Sequence, residues 1–530
     1  MGRTMTDTKI TVARATAIII VFTVLSKILG FVREMALAYV FGAGAATDAF
    51  LVASTIPAII FAVLGGALTA GAVPLFTAYR ARWGEKEAWR LFSVMVTALL
   101  VLLLGFVALG EPLSRQLVWL IAPGLPQGTA ELAAGLTRVV LPGVIFFSLA
   151  NLYYGLLNAN NIFGPPALGP VLTNVVLITG ILAGARFGIA AAAWGTLAGY
   201  AAAYALQVPY LRRVGFRYRP AWDIKHPGIA EAGAMLGPVL VGTGLGQIYL
   251  IIDRILASGL AQGSISALNY AQKVALLPQG VLAGALATAL FPLLAERAAV
   301  QSEADYARAL VRGVSVTLIM TLPLAVLLVV LARPTVEVLF MRGAFDARAA
   351  AMTTLALAFF GVGMVGQCIN PILTRGFYAR QDSVTPLKCA VVAIGLNLVL
   401  SLILIHPLKH GGLAMANSLA ATFNMFQLSW LLKRSTGGLV SFAGMRRDAL
   451  KVLVASIACG LAAGLMNAGL AGTLAHGTAA VFARLLASGG AGLFVFGVTT
   501  WFLGVTEFRA LVEKVLVFAF RGRHTKAVTG

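Results

Sequence analysis

The sequence predicts an all-α polytopic membrane protein with about fourteen transmembrane helices, and both its composition and its apolar segments support this fold class. The chain has 530 residues, of which 59% are hydrophobic and 11% are charged, and its mean hydropathy is +0.90. These values lie well outside the range of soluble globular domains. Soluble fold classes are therefore excluded.

Fourteen mostly apolar segments follow one another, each close to the length of about 20 residues that crosses a bilayer. Basic residues precede the first segment, as in a signal peptide, but no small-residue cleavage pattern follows Ser26 and Lys27, so we expect a retained span. The approximate centres are Val21, Ala62, Leu99, Phe146, Leu177, Tyr200, Gly244, Leu282, Leu322, Gly361, Leu396, Leu419, Ala458 and Phe494.

The charge of the connecting loops predicts the orientation. The net charge is +21, and Lys and Arg concentrate in residues 80–90, 212–225 and 433–451, whereas residues 42–47 and 258–266 contain none. Because basic loops remain in the cytoplasm, we expect both termini to be cytoplasmic. The expected partners of this charge are anionic membrane lipids. A nucleic-acid partner is not expected, because no soluble domain is present to bind it.

Cysteine and histidine usage gives no sign of metal catalysis. Cys368, Cys389 and Cys459 fall in apolar spans without CxxC spacing, and the five histidines form no HExxH motif. We predict no disulfide, no catalytic residues and no enzymatic activity.

Five basic residues lie inside otherwise apolar segments. A Lys or Arg at the centre of a spanning helix costs about 2.5 to 3.5 kcal/mol, so such residues usually face a polar cavity. A cavity with several fixed cations is expected to hold an anion. The five residues are Lys27, Arg33, Arg138, Arg254 and Lys273.

An internal repeat divides the chain. The GAL sequence at residues 66–68 recurs at 284–286, an offset of 218, and Gly155 matches Gly376 at an offset of 221. Because this offset drifts little, we predict two six-helix lobes in the same orientation. Such parallel repeats are typical of transporters that bind substrate between the halves and alternate access. The predicted divisions are an N-terminal lobe at 10–215, a C-terminal lobe at 226–434, and two further helices with an interfacial tail at 446–523.

Several motifs along the chain resemble one known family. The first is SKILGFVRE at residues 26–34, similar to the family pattern S-R-x-L-G-F-x-R-D. The others are FGAG at 41–44, TDAF at 47–50, VP at 73–74, NANN at 158–161, GFYARQD at 376–382 and PLKHGGL at 407–413. In this order they resemble the MurJ (MviN) family of lipid II flippases, in the superfamily of multidrug, oligosaccharidyl-lipid and polysaccharide exporters.

The resemblance implies translocation of lipid II, the undecaprenyl-diphosphate-linked peptidoglycan precursor, from the cytoplasmic to the outer leaflet of the bacterial cytoplasmic membrane. Fixed cations suit this task, because a diphosphate crossing hydrocarbon must replace its hydration. The implied substrate-binding residues are Lys27, Arg33, Arg254 and Lys273. Glu34 and Asp48 would balance these cations, form a salt-bridged gate or have a structural role.

Two departures from the family pattern bear on substrate binding. The second span lacks the basic residues that many members carry after the proline equivalent to Pro57. Lys27 and Lys273 replace the usual arginines, and a lysine lacks the bidentate guanidinium fork. We therefore expect the diphosphate to be held differently in detail.

The resemblance also suggests a Na⁺ site, and no other cofactor is expected. Its ligands would be Asp253, Asn397, Ser401, Asn417 and the carbonyl of Leu413, since oxygen ligands suit a hard cation. The competing interpretation is that Asp253 forms a salt bridge or helix cap with Arg254.

Other functions stay open at this point. They are export of another polyprenyl-linked polysaccharide, export of a cationic drug, an intramembrane glycosyltransferase acting on the same lipid, and a membrane scaffold. A cationic cavity disfavours the drug, short acid-poor exterior loops disfavour the enzyme, and a scaffold needs no buried cations. The glycan and the oligomeric state are not specified by the sequence.

Overall fold

The computed structural model describes residues 5–223, 225–299, 302–442, 444–472, 477–510 and 513. Over these residues the chain is helical and contains no β-strand, which confirms the all-α class. The helices are α1 (Met5–Phe41), α2 (Ala45–Trp83), α3 (Glu85–Gly110), α4 (Ser114–Ile121), α5 (Gln127–Val140), α6 (Gly143–Ala159), α7 (Gly164–Phe187), α8 (Ala190–Arg213), α9 (Pro227–Ser258), α10 (Ser264–Ala299), α11 (Glu303–Val330), α12 (Ala332–Phe340), α13 (Ala347–Ala379), α14 (Val384–Leu408), α15 (His410–Ser435), α16 (Arg446–Ala471) and α17 (Thr478–Phe502).

Many of these helices can cross a membrane. Within the described ranges, nine are long and apolar enough, or ten if α5 and α6, which meet at 40°, form one broken span. Each predicted segment centre lies in a different helix. The protein is therefore a multi-pass membrane protein, while the count of fourteen spans stays a prediction. Helices α1 and α10 are absent from the nine, and they contain Arg33 and Lys273.

The backbone repeats along the chain as the residue pattern does. Helices α2 to α8 are followed by α10 to α15 in the same order, with α13 in the place of α5 and α6. Left-handed residues recur at matching sites: Gly42 and Gly263 are 221 residues apart, and Asn161 and Gln381 are 220 apart, with φ of 59° and 62° for the latter pair. Since residues other than glycine rarely adopt positive φ, the turns of the two copies share one geometry.

The chain packs as two compact units, which do not follow the predicted lobe boundary. The first unit runs to Ser266 and also contains Arg342–Asp346, and the second contains the remaining residues from Ala267 onwards. Helix α9, which the repeat assigns to the second lobe, lies in the first unit and packs along α2. Packing and sequence duplication are different properties, so the lobe boundaries stay a prediction.

The first unit has an aromatic core and closely packed helix pairs. Phe92, Tyr153 and Phe216 are buried together, and the Phe92 and Phe216 rings meet edge to face with centroids 5.1 Å apart. At Gly180, where α7 contacts α8, an added Cβ would lie 2.7 Å from the Cα of Gly195. Such small residues let membrane helices approach closely.

The second unit packs α16 and α17 against α11. Ile319, Cys459 and Phe496, one from each of these helices, belong to the same buried cluster. The predicted interfacial tail that follows α17 lies largely outside the described residues.

At the start of α14, hydrogen bonds fix the charge state of Asp382. Burial alone would raise the pKa of this carboxyl group, but hydrogen bonds from Thr385 and Val384 outweigh burial and lower the pKa.

Two glycine loops hold the ends of α1 and α9 within the first unit. Gly124, between α4 and α5, donates its N–H to Ser258 Oγ at 3.0 Å. Ala344, between α12 and α13, donates its N–H to the Tyr39 carbonyl at 2.8 Å. At Gly343 a Cβ would lie 2.3 Å from that carbonyl oxygen, so only glycine fits. We call these two contacts the glycine clasp; they occupy equivalent places in the two copies.

Candidate functional site

Arg33 on α1 is held by two polar partners. Its guanidinium lies 2.6 Å from Glu34 Oε1 and donates weakly, at 3.5 Å, to Asn174 Oδ1 on α7. The Arg33 side chain keeps 31% of its surface exposed, whereas Glu34 is buried. The pair therefore presents a guanidinium whose charge is partly compensated and whose outer side is accessible.

Asn174 is a residue of this site that sequence reasoning missed. Its side-chain N–H groups donate to the Ser26 carbonyl at 3.2 Å and to the Pro170 carbonyl at 3.0 Å. The amide thereby joins α7 to α1 about two turns before Arg33 and orients the guanidinium. A single Asn in the apolar α7 is a weak signal, because such residues commonly serve helix packing.

Asp48 is buried in a hydrogen-bonded turn rather than in an ion pair. Its Oδ2 accepts from the Gly263 N–H at 2.7 Å, and its Oδ1 accepts from the Ser266 N–H at 2.8 Å and the Ser266 hydroxyl at 2.7 Å. These bonds join the start of α2 to the turn that begins α10. These contacts agree with a structural role for Asp48, because it forms no salt bridge among the described residues.

Arg254 is the most deeply buried basic residue of this group. It is 8% exposed, NH1 donates to the Ile265 carbonyl at 3.4 Å, and its charge interacts with Asp48, Asp253 and Glu34. The first unit therefore places carboxylate charges within electrostatic range of this guanidinium, although its Nε has no hydrogen-bond partner among the described residues. This compensation lowers the cost of burying the charge in a membrane.

The other three predicted basic residues differ in their surroundings. Lys27 is exposed on α1 and makes no hydrogen bond or ion pair with any part of the chain that the structure describes. Lys273 is half-buried on α10 in the second unit. Arg138 is exposed and donates to Ser114 at 2.9 Å, which makes it part of the α4–α5 corner. The expectation that Arg138 faces a polar cavity stays a prediction.

The second unit contains buried polar atoms without partners. Asn397 and Ser401 lie one turn apart on α14 and are fully buried. Among the described residues, the Asn397 amide oxygen and nitrogen and the Ser401 hydroxyl have no hydrogen-bond partner. A buried unpaired polar group costs about 1 to 3 kcal/mol, so these atoms favour a ligand or water.

Helix α15 carries the remaining second-unit residues of the predicted cation site. Leu413 is 1% exposed, and Asn417 lies one turn further along, where its Oδ1 accepts from Gln367 Nε2 at 3.0 Å. The Oε1 of Gln367 accepts in turn from Gln279 Nε2 at 2.6 Å. This amide chain joins three helices, and sequence reasoning missed both glutamines because their partners are distant in the chain.

Asp253 belongs to the first unit and has a similar unpaired oxygen. Its Oδ1 is buried without a hydrogen-bond partner, and no ion pair with Arg254 occurs within 4 Å among the described residues. Asp253 also lies inside α9, five residues before its end, so it does not cap the helix. The geometry therefore leaves this oxygen available to a ligand.

The fold matches solved structures of membrane transporters. It superposes on "Lipid II flippase MurJ, inward closed conformation" with a TM-score of 0.79 and 24% identity, over 93% of this chain and all of that one. It also matches an inward-facing MATE family multidrug resistance transporter of the MOP superfamily, with a TM-score of 0.68 and 13% identity over 78% and 95% of the chains. The architecture is therefore that of this class of transporter.

Sequence relatives narrow the class to one family. The family model described as "Lipid II flippase MurJ" matches residues 37–481. The lipid II flippase MurJ of Burkholderia cenocepacia is 32% identical over 77% of this chain and 81% of the relative. The probable lipid II flippase MurJ of Haemophilus influenzae is 30% identical over 83% and 90%. The chain belongs to the MurJ family, which comprises transporters rather than enzymes, as its motifs predicted.

Replacing Asp48 by Asn should lower stability markedly. The carboxylate accepts three hydrogen bonds in a buried turn, and an amide cannot accept all three, so we expect a loss of about 2 kcal/mol in the free energy of unfolding. Asp382→Asn is the matched control, because its half-exposed carboxylate caps α14 and should lose about 1 kcal/mol or less. Thermal unfolding in detergent measures both, and equal losses would contradict a special role for the Asp48 turn.

Proposed function

We propose that this protein moves lipid II from the cytoplasmic to the outer leaflet of the bacterial cytoplasmic membrane by alternating access. The observation that carries the proposal is membership of the MurJ family over residues 37–481. The guanidiniums of Arg33 and Arg254 in apolar helices support it, because an anionic diphosphate requires fixed cations in a membrane.

The Arg33–Glu34 pair suggests how the diphosphate is bound. When no substrate is present, the Glu34 carboxylate compensates the guanidinium at 2.6 Å. An arriving phosphate competes for the same N–H donors from the accessible side, while Asn174 keeps the guanidinium oriented. Lys27 supplies a second cation from the same helix. In this proposal Arg254 and Lys273 complete the substrate-binding set.

The glycine clasp and the Asp48 turn would close the exterior side of the protein during the transport cycle. The clasp and the Asp48 turn lie at the ends of α1 and α9 and the starts of α2 and α10, which the loop charges assign to the exterior. We propose that these contacts close the exterior side and break when it opens. All of the clasp bonds are backbone or short polar contacts, which water can replace upon opening.

Substitution of Arg33 or Lys273 by Ala should abolish transport without unfolding the protein, because each removes a cation that binds the diphosphate. Arg33→Lys should be milder, since it keeps the charge but not the fork. The measurement is rescue of cells depleted of their own lipid II flippase, together with a leaflet assay for the precursor.

Arg138→Ala serves as the matched control for those variants, because Arg138 is also a basic residue in an apolar segment but is exposed and bonded to Ser114. It should rescue growth. Rescue by Arg33→Ala at matched membrane abundance would refute the anion-binding role. Rescue by the unchanged chain without precursor translocation would refute lipid II as the substrate.

Both termini and the 212–225 loop are cytoplasmic in this proposal, because basic loops remain inside. A cysteine at Trp222 should resist an impermeant thiol reagent added to whole cells, whereas one at Gln127 should react. The native cysteines Cys368, Cys389 and Cys459 are buried, so background labelling should be low. Labelling after permeabilisation is the control, and reaction at position 222 in intact cells would reverse the topology.

A Na⁺ site is a second part of the proposal. Asp253, Asn397 and Ser401 each carry a buried oxygen that has no hydrogen-bond partner among the described residues, and oxygen is the ligand type that suits a hard cation. Leu413, through its carbonyl, and Asn417 would supply the remaining oxygens. A bound Na⁺ supplies a charge that couples the conformational cycle to membrane potential, worth about 2.3 kcal/mol per 100 mV if it crosses the whole field.

Sodium should stabilise the protein against heat more than potassium does, by about 2.7 kcal/mol when its concentration is a hundred times the Kd. Asp253→Asn and Ser401→Ala should each reduce this Na⁺-specific shift. Ser456→Ala is the control, because that buried hydroxyl already donates to its own helix at the Val452 carbonyl. If both site variants showed the same Na⁺-specific shift in melting temperature as the wild type, Asp253 and Ser401 would be eliminated as ligands.

A further inference from the structure

A cavity of about 570 Å³ lies beside the C-terminal end of α8 in the first unit. Its volume is within the range of about 300 to 1,000 Å³ that is typical of small-molecule sites. No acidic residue lines it. Its walls combine aromatic rings with two guanidiniums, from Tyr153, Tyr204, Phe216, Tyr218, Arg212 and Arg217.

The walls of this cavity are fixed by local structure. Helix α8 ends in a turn where Gly215 has φ of 89° and the Phe216 N–H donates to the Leu211 carbonyl at 3.0 Å. Phe216 is then buried at 3% exposure, against Phe92 among others. The Tyr153 ring meets the Phe216 ring edge to face with centroids 6.4 Å apart, and it stacks on the Tyr204 ring with centroids 5.5 Å apart. The cavity is therefore formed before any ligand arrives.

Hydrogen bonds also fix the loop that follows α8. The Tyr218 hydroxyl lies 3.0 Å from Thr97 Oγ1 on α3, which accepts from the Ala221 N–H at 3.3 Å. These contacts hold the loop across α3. The positions of Arg212 and Arg217 are thereby set by a folded loop rather than by a free tail.

The two guanidiniums of the cavity have no acidic partner. Arg212 and Arg217 are exposed, and neither forms an ion pair with any residue that the structure describes. The neighbouring Arg213 is different, because its guanidinium lies over the Tyr210 ring at 5.0 Å. Two unpaired guanidiniums beside tyrosine hydroxyls match an anion that accepts several hydrogen bonds, and phosphate is the group they bind best.

Position in the fold decides between a lipid and a soluble phosphate. The cavity lies where the apolar α8 ends, the level at which Tyr and Arg side chains meet lipid headgroups. The C-terminal end of a helix carries partial negative charge, which weakens the binding of any anion there, so a ligand that is already concentrated at the surface is favoured over one free in solution. A lipid is held at the same surface at high effective concentration, and the aromatic walls accept its apolar part.

We infer that the cavity at the end of α8 binds the phosphate of an anionic lipid headgroup, at a site separate from the residues proposed to carry the translocated substrate. The inference goes beyond the proposed function, although it rests on the proposed cytoplasmic placement of the 212–225 loop. Occupancy fixes this loop, which leads directly into α9, to the membrane surface. The resident lipid is an anchor and is not the cargo.

Binding of short-chain phosphatidylglycerol to the purified full-length protein in detergent tests the inference. The site variant is Arg212→Gln with Arg217→Gln. The matched control is Arg213→Gln with Arg219→Gln, which removes the same charge from the same loop but from outside the cavity. Since one basic side chain near an anionic lipid contributes about fivefold in affinity, the site variant should bind about thirtyfold more weakly.

The control variant should bind phosphatidylglycerol as the wild type does, and phosphatidylcholine should bind weakly to every form. Unchanged affinity in the site variant would overturn the inference, and so would equal losses in both variants, which would indicate diffuse charge. If inorganic phosphate bound to the cavity as strongly as phosphatidylglycerol does, the assignment of a lipid as the ligand would be overturned. Lipid II binding should be unaffected in the site variant, which separates this result from a failure of the proposed flippase function.

Discussion

The structure depends on how the guanidiniums that lie among apolar helices are compensated. Arg33 is paired with Glu34 at 2.6 Å and bonded to Asn174, and Arg254 lies within electrostatic range of carboxylate charges. An unpaired guanidinium at the centre of a membrane helix is costly, whereas a compensated one is tolerated. The helices that carry these residues can therefore remain in the membrane while keeping a polar face.

In the proposed cycle, the same compensation would let the Arg33 guanidinium exchange one anionic partner for another. A guanidinium that already has a carboxylate partner loses little when a phosphate replaces that partner, because one charge-assisted bond is traded for another. In this exchange the buried Glu34 carboxylate loses its bond to the guanidinium, so its return favours release of the phosphate. A wholly uncompensated cationic cavity would bind more tightly but would be more costly to empty. Moderate affinity suits a carrier, which must release its cargo on the other side.

The sequence predicted those features that depend on local composition. The all-α class follows from apolar segments, and the family follows from short motifs such as residues 26–34. The contacts of Asn174 could not be predicted, since it bonds Ser26 across 148 residues of chain. The turn around Asp48 was likewise hidden, because its three donors lie more than 200 residues away. Such contacts depend on how distant helices pack, which periodicity does not encode.

The two copies of the repeat have the same order of helices and turns. Each has an arginine next to an acidic residue at the same place, but the contacts of these side chains differ. Arg33 and Glu34 on α1 correspond in position to Asp253 and Arg254 on α9, since the copies are offset by 220 or 221 residues. In the first copy the two side chains bond each other, whereas in the second the Asp253 Oδ1 and the Arg254 Nε have no hydrogen-bond partner among the described residues. Duplication therefore supplied one geometry twice. Divergence left the first pair bonded side chain to side chain, whereas the second pair forms no such bond among the described residues.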